Sequence, residues 1–185
     1  MEDSNIVRLY WERSENAIGE TALKYGKYCF TIADNILQNK EDANESVNDT
    51  YWGAWNAIPP NNPTVLRTFL GKLTRRISLK KWRDENRVKR GGGEVTLALE
   101  ELEECVPSGV EVEDEILAAE LTETLNRFLA VLPETERNIF VCRYWYLDSI
   151  AQICHTYRFS ESKMKSILYR TRKKLQSYLN EEGIL

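Results

Sequence analysis

The sequence predicts an all-α protein of two small helical domains joined by an acidic linker. Three observations carry that expectation. Apolar residues recur at steps of three and four along most of the chain, and no stretch alternates convincingly with period two. Three adjacent glycines, Gly91-Gly92-Gly93, break the helical pattern at mid-chain, where residues without side chains leave the backbone unrestrained. Immediately after them comes a run without a single Lys or Arg, residues 94–126, carrying 11 acidic groups.

Each element follows from local signals. Ser14 is placed to cap a long helix whose apolar stripe is Ile18, Ala22, Tyr25, Cys29, Ile32 and Ile36. Asn39 and Lys40 mark a turn, and a second helix over residues 41–58 buries Ala43, Val47, Ala54 and Ile58 before Pro59-Pro60 stops it. Asn62 as cap with Pro63 in the first turn opens a third helix, running to about Asn86. Residues 94–115 read as linker, interrupted by Pro107-Ser108-Gly109, with a short helix around residues 97–102. A second helical unit begins near Ala118; Leu132-Pro133-Glu134 breaks it and starts a new helix. Residues 149–156 form a short helix, and Ser160 caps a last one ending near Leu179. The expected divisions are thus a first domain over 1–90, a linker over 91–117 and a second domain over 118–185.

The net charge of −4 hides a strong segregation. Residues 1–62 carry 5 basic and 10 acidic groups, residues 63–93 carry 10 and 2, and residues 127–185 carry 10 and 6. Since charges are screened over about 8 Å at physiological salt, partners feel each block rather than the sum. No run of about 18 apolar residues is present, so no membrane insertion is expected, and Met1 precedes Glu2 and Asp3 rather than a basic leader, which points to the cytoplasm. Cys29, Cys105, Cys142 and Cys154 are too scattered for a disulfide framework. Cys142, Cys154 and His155 could in principle hold a metal, but the two thiols fall at apolar-periodic positions and read better as small buried hydrophobes. With one His, no phosphate loop and no activated nucleophile, the chain reads as no enzyme, needing no metal or cofactor.

Three surfaces exceed what a core requires. On the third helix, Lys72, Arg75, Leu79, Trp82 and Arg83 lie opposite the stripe of Leu66, Phe69, Leu70, Leu73 and Ile77. Basic groups around an aromatic suit phosphates and an exposed base; the alternative is a solvated helix face with Trp82 covered. On the last helix the stripe is Met164, Ile167, Leu168, Thr171, Leu175, Tyr178 and Leu179, leaving Ser162, Lys165, Ser166, Tyr169, Arg170 and Lys173 outward. A short helix, a tight turn and a longer basic helix is the layout of a helix-turn-helix, whose second helix enters the major groove, although an ordinary basic hairpin has the same layout. The second helix is acidic instead: Asp42, Glu45, Asn48, Asp49 and Trp52 cluster opposite its stripe, as a protein-binding face would.

Taken in order, these residues resemble the extracytoplasmic-function (ECF) type of bacterial sigma factor, within the sigma-seventy family. Residues 41–50 with Ala54-Trp55 look like the acidic motif of region two. Phe69-Leu70, Leu73-Thr74-Arg75-Arg76 and Trp82-Arg83 resemble the part of region two that melts and reads the minus-ten element. Leu132-Pro133-Glu134, Arg137, Phe140, Arg143-Tyr144, Ile153, Ser160, Lys165-Ser166, Leu168, Arg170 and Arg172 resemble region four. Arg76, Lys80, Arg158 and Cys154 depart from common family residues. The resemblance implies a region-two helical bundle and a region-four helix-turn-helix. It implies core RNA polymerase and promoter DNA as partners, an anti-sigma factor as a further one, and transcription initiation as the function. It further implies Asp42, Glu45, Asn48, Asp49 and Trp52 on polymerase; Arg75, Arg76, Lys80, Trp82 and Arg83 on the minus-ten region, with the loop 58–62 receiving a flipped base; and Ser162, Lys163, Lys165, Ser166, Arg170 and Arg172 on the minus-thirty-five element. By that resemblance the acidic linker threads the polymerase's nucleic-acid channel. The competing readings are a helix-turn-helix regulator that binds DNA alone and a polymerase-binding adaptor that selects no promoter.

Overall fold

The computed structural model describes residues 1–86, 93–103, 105 and 115–183, and every regular element among them is helical. The chain divides into two compact units, Met1–Gly91 and Gly92–Leu185.

The first unit holds α1 (Asp3–Trp11), α2 (Asn16–Leu37), α3 (Lys40–Ala57) and α4 (Leu66–Asn86). Helix α1 is not expected from the periodicity, yet it buries Ile6, Val7 and Tyr10. Tyr10 shares a 2.8 Å hydrogen bond with Thr21 of α2, whose hydroxyl also donates to the Ala17 carbonyl. Ser14 does not cap α2; the N-cap is Glu15, in helical conformation and without a side-chain bond. Asn39 does cap: its side-chain oxygen accepts the backbone N–H groups of Glu41 and Asp42, satisfying two orphan donors of α3. Helix α4 starts at Leu66, later than a cap at Asn62 would place it.

Helices α2, α3 and α4 pack on one another. Their core joins Tyr25, Cys29 and Ala33 to Val47, Tyr51, Ala54, Leu66, Leu70 and Leu73, with Ile32 and Ile36 also buried. Each Val, Leu or Ile side chain so buried contributes about 1.5–3 kcal/mol. The seam between α3 and α4 is unexpectedly polar. Ser46, Thr50, Thr74 and Ser78 are fully buried there, and the Thr50 hydroxyl donates to Thr74 Oγ1 while Thr74 donates to the Leu70 carbonyl. A hydroxyl that returns its proton to its own helix, as Thr74 does, can still accept a bond from the facing helix and let the two backbones approach.

The second unit holds α5 (Glu94–Glu103), α6 (Glu115–Val131), α7 (Glu134–Tyr144), α8 (Ile150–Tyr157) and α9 (Glu161–Glu181). Helix α5 corrects the linker expectation. It is a ten-residue helix belonging to this unit, with Val95 and Ala98 buried and with packing against α7. The reason is electrostatic. Arg143 of α7 is 1% exposed, and a guanidinium taken out of water needs carboxylates around it. It finds Glu94 at 2.6 Å and Glu101 at 3.0 Å, both supplied by α5. Pro107, Ser108 and Gly109 lie outside the described residues. Around α9, Phe128 of α6 meets Phe140 and Tyr178 at ring-centroid separations of 6.3 and 5.6 Å, and Arg127 pairs with Glu182 at 2.6 Å.

Candidate functional site

Helix α8 begins with a reciprocal cap. The Ser149 hydroxyl accepts the Gln152 N–H at 3.2 Å, while the Gln152 side-chain oxygen accepts the Ser149 N–H at 2.6 Å. The helix ends on Arg158, whose φ of 53° is left-handed. That conformation costs a side-chain-bearing residue about 1–2 kcal/mol, but it turns the chain within three residues so that Ser160 can cap α9 through the Lys163 N–H. Helices α8 and α9 pack on each other, and Ile153, Met164, Ile167 and Leu168 are buried. The result is a helix-turn-helix with the long helix outward.

On α9 the residues at 162, 163, 165, 166, 169, 170 and 173 are exposed. Ser162, Lys163, Lys165, Ser166 and Arg170, five of the six expected upstream DNA contacts, are among them. The Lys163 ammonium rests over the Phe159 ring, 3.6 Å from its centroid. Lys165 pairs with Glu161 at 2.6 Å, and this contact holds the Glu161 carboxyl below its ordinary value. Tyr169, 53% exposed, stands between Arg172 and Lys173. Tyr169 and Lys173 therefore share the face with the expected contacts, and their signal is the heptad-like spacing from Ser162 and Ser166.

Arg172 does not. Its side chain is only 11% exposed, it donates to the Tyr144 hydroxyl at 2.9 Å and it lies 3.6 Å from Glu101. An arginine so held is an internal strut of the unit rather than a surface phosphate contact.

In the first unit, Arg76, Lys80 and Arg83 lie exposed on α4, as does Lys72. Arg75 and Trp82, expected on the same open face, are half-buried. Burial pulls the Arg75 guanidinium down to about 10, so carrying its charge here is already costly. Pro60, Asn61 and Asn62 of the loop preceding α4 are exposed.

The acidic face of α3 presents Glu45, Asn48, Asp49 and Trp52 to solvent, Trp52 being 61% exposed. Asp42 is half-buried, because Lys81 of α4 reaches across to it at 2.7 Å and also binds Glu45. Those two bonds raise the Lys81 ammonium above its ordinary value. One lysine thus ties the helix bearing the basic face to the helix bearing the acidic one.

A family model described as "ECF sigma factor" matches residues 60–181, spanning α4 through the whole of α9. The chain belongs to the ECF sigma factor family. Membership makes it a sigma factor, of a family concerned with transcription initiation and its regulation rather than with enzymatic chemistry. No curated protein matches the chain. Among solved structures it is similar to "Structure of CnrH in complex with the cytosolic domain of CnrY", at 21% identity, with 97% of each chain covered and a TM-score of 0.41. No helix of this sigma factor, among the described residues, is long and apolar enough to cross a membrane.

Proposed function

We propose that this sigma factor binds core RNA polymerase through α3 and directs promoter-specific initiation, with α4 on the minus-ten region and α9 in the major groove at the minus-thirty-five element. The observation that carries the reading is the exposed α9 face of Ser162, Lys165, Ser166, Tyr169, Arg170 and Lys173, led by a capped N-terminus after a tight turn. A helix presented this way offers its first residues to base edges and its solvent-facing cations to phosphates. Arg76, Lys80 and Arg83 supply the downstream phosphate contacts, and Glu45, Asn48, Asp49 and Trp52 the polymerase contacts. Asp42 acts with them once Lys81 is shared with or surrendered to the partner. An anti-sigma factor, the further partner that the family implies, would cover these same faces.

Capture by immobilised core polymerase tests the protein-binding half. An exposed aromatic at an interface centre is worth about 2 kcal/mol, so Trp52→Ala should weaken capture by roughly thirtyfold; unchanged capture removes α3 from the interface. For the DNA half, Arg170→Ala should lower the salt slope of promoter binding by about one. A slope equal to that of the parent chain removes Arg170 from the phosphates.

A further inference from the structure

We infer that Glu101 is a positioning residue for the DNA-reading helix α9, acting through Tyr144 and Arg172; this rests on the role of α9 proposed above and deepens it. The Glu101 carboxylate joins three helices. From α5 it accepts two bonds from Arg143 of α7, Nε to Oε2 at 3.2 Å and a terminal nitrogen to Oε1 at 3.0 Å. The Tyr144 hydroxyl donates to Oε2 at 2.8 Å. The same hydroxyl accepts from Arg172 of α9 at 2.9 Å, and Arg172 lies 3.6 Å from Oε2. The relay therefore runs from α5 through α7 to α9 without a gap.

The apolar contacts of α9 cannot do this job alone. Met164, Ile167, Leu168 and Leu175 fix how deep the helix sits, but apolar burial is non-directional and tolerates rotation or sliding. A carboxylate held by several charged donors is directional, and Arg172 is the inward arginine of α9 that it holds. Arg172 sits between Arg170 and Lys173 in sequence, so a rotation of α9 that released it would turn the whole exposed face, carrying Ser162 and Ser166 off the base edges as well as Arg170 and Lys173 off the phosphates. The acidic segment before the helix-turn-helix thus sets the angle at which the reading face is presented.

The test uses holoenzyme reconstituted from core polymerase and the full chain, on a promoter fragment selected with the unmodified chain. A second fragment has its upstream element scrambled. The readout is the ratio of the two affinities, per active molecule. Loss of folded protein scales both affinities alike and leaves the ratio untouched, whereas a misaligned α9 lowers it. Glu101→Gln removes the charge and should reduce the ratio by about tenfold, the size expected of a hydrogen bond to a charged group. Tyr144→Phe leaves the Arg143–Glu101 pair in place, so it covers the case in which Glu101→Gln fails to fold, and should reduce the ratio by about threefold. Glu94→Gln loosens Arg143 without touching Tyr144 or Arg172, and should leave the ratio unchanged. Tyr144→Phe at the parent ratio, or Glu94→Gln lowering the ratio as far as Tyr144→Phe does, would overturn the inference. A parent holoenzyme that does not discriminate the fragments would instead overturn the function proposed for α9.

Discussion

Replacing Arg143 by Met should be the most damaging single change in the second unit. The side chain is 1% exposed and bonds Glu101 twice, Glu94 once and the Asp148 carbonyl at 3.3 Å. Removing one member of a buried ion cluster costs about 3–5 kcal/mol, because its partners keep their charge without compensation. Here the partners are partly wet: the Glu94 side chain is 35% exposed and that of Glu101 is 23% exposed. Glu101 also retains the Tyr144 hydroxyl. The loss should therefore fall at the low end, about 3 kcal/mol. Glu94→Gln, which leaves Arg143 its two bonds to Glu101 and only frees a carboxylate already near water, should cost about 1 kcal/mol. Hydrogen exchange followed by mass spectrometry reads this unit separately, since the opening free energy of amides in α7 and α9 reports its stability. Equal effects of the two substitutions, or an Arg143→Met loss below about 1 kcal/mol, would refute the reasoning that α5 is anchored by this cluster.

Other consequences are open to simple assays. Arg158→Gly removes a left-handed side-chain-bearing residue and should stabilise the second unit by up to about 1 kcal/mol, read by the same exchange measurement. Burial alone would push the Asp3 carboxyl up, but bonds from Lys24 and Tyr25 outweigh it, so its value is lowered from 3.8. Its stabilising contribution is therefore complete above that value and is lost as pH falls through the folded one. Asp3→Asn should accordingly flatten the acid limb of unfolding below about pH 4, as followed by circular dichroism. Burial, reinforced by the Asp148 carboxylate, raises the Cys142 thiol to about 11. At pH 8 only about one such thiol in a thousand is ionised, so alkylation of Cys142 in the folded chain should be far slower than after unfolding.

What could be read from the sequence follows what periodicity can register. The stripes of α2, α3 and α9 were legible because Cys29, Ile32, Ile36, Ala54, Met164 and Leu168 are apolar and buried. Helix α1 was not, since three buried residues in nine make too short a pattern. Thr21, Ser46, Thr50, Thr74 and Ser78 are buried hydroxyls, and a rule that sends polar residues outward misses them by construction. In α5 the two glutamates that matter are seven residues apart, which places them on one helical face. Their partner comes from 42 and 49 residues away, beyond any local signal, so the short helix expected here was assigned to a linker. Arg172 is different, because its displacement from the DNA face was available. At about 100° per residue it lies only about 20° from the position of buried Leu179 and about 100° from the centre of the exposed face. The outward set read from the helical wheel leaves Arg172 out; only the resemblance to region four placed it on DNA.

The most direct test of the account is run-off transcription with core polymerase on a genomic template library. The account predicts discrete transcripts that depend on the chain and that weaken with Trp52→Ala and with Arg170→Ala. Core polymerase that captures the chain yet yields no chain-dependent start sites would contradict it.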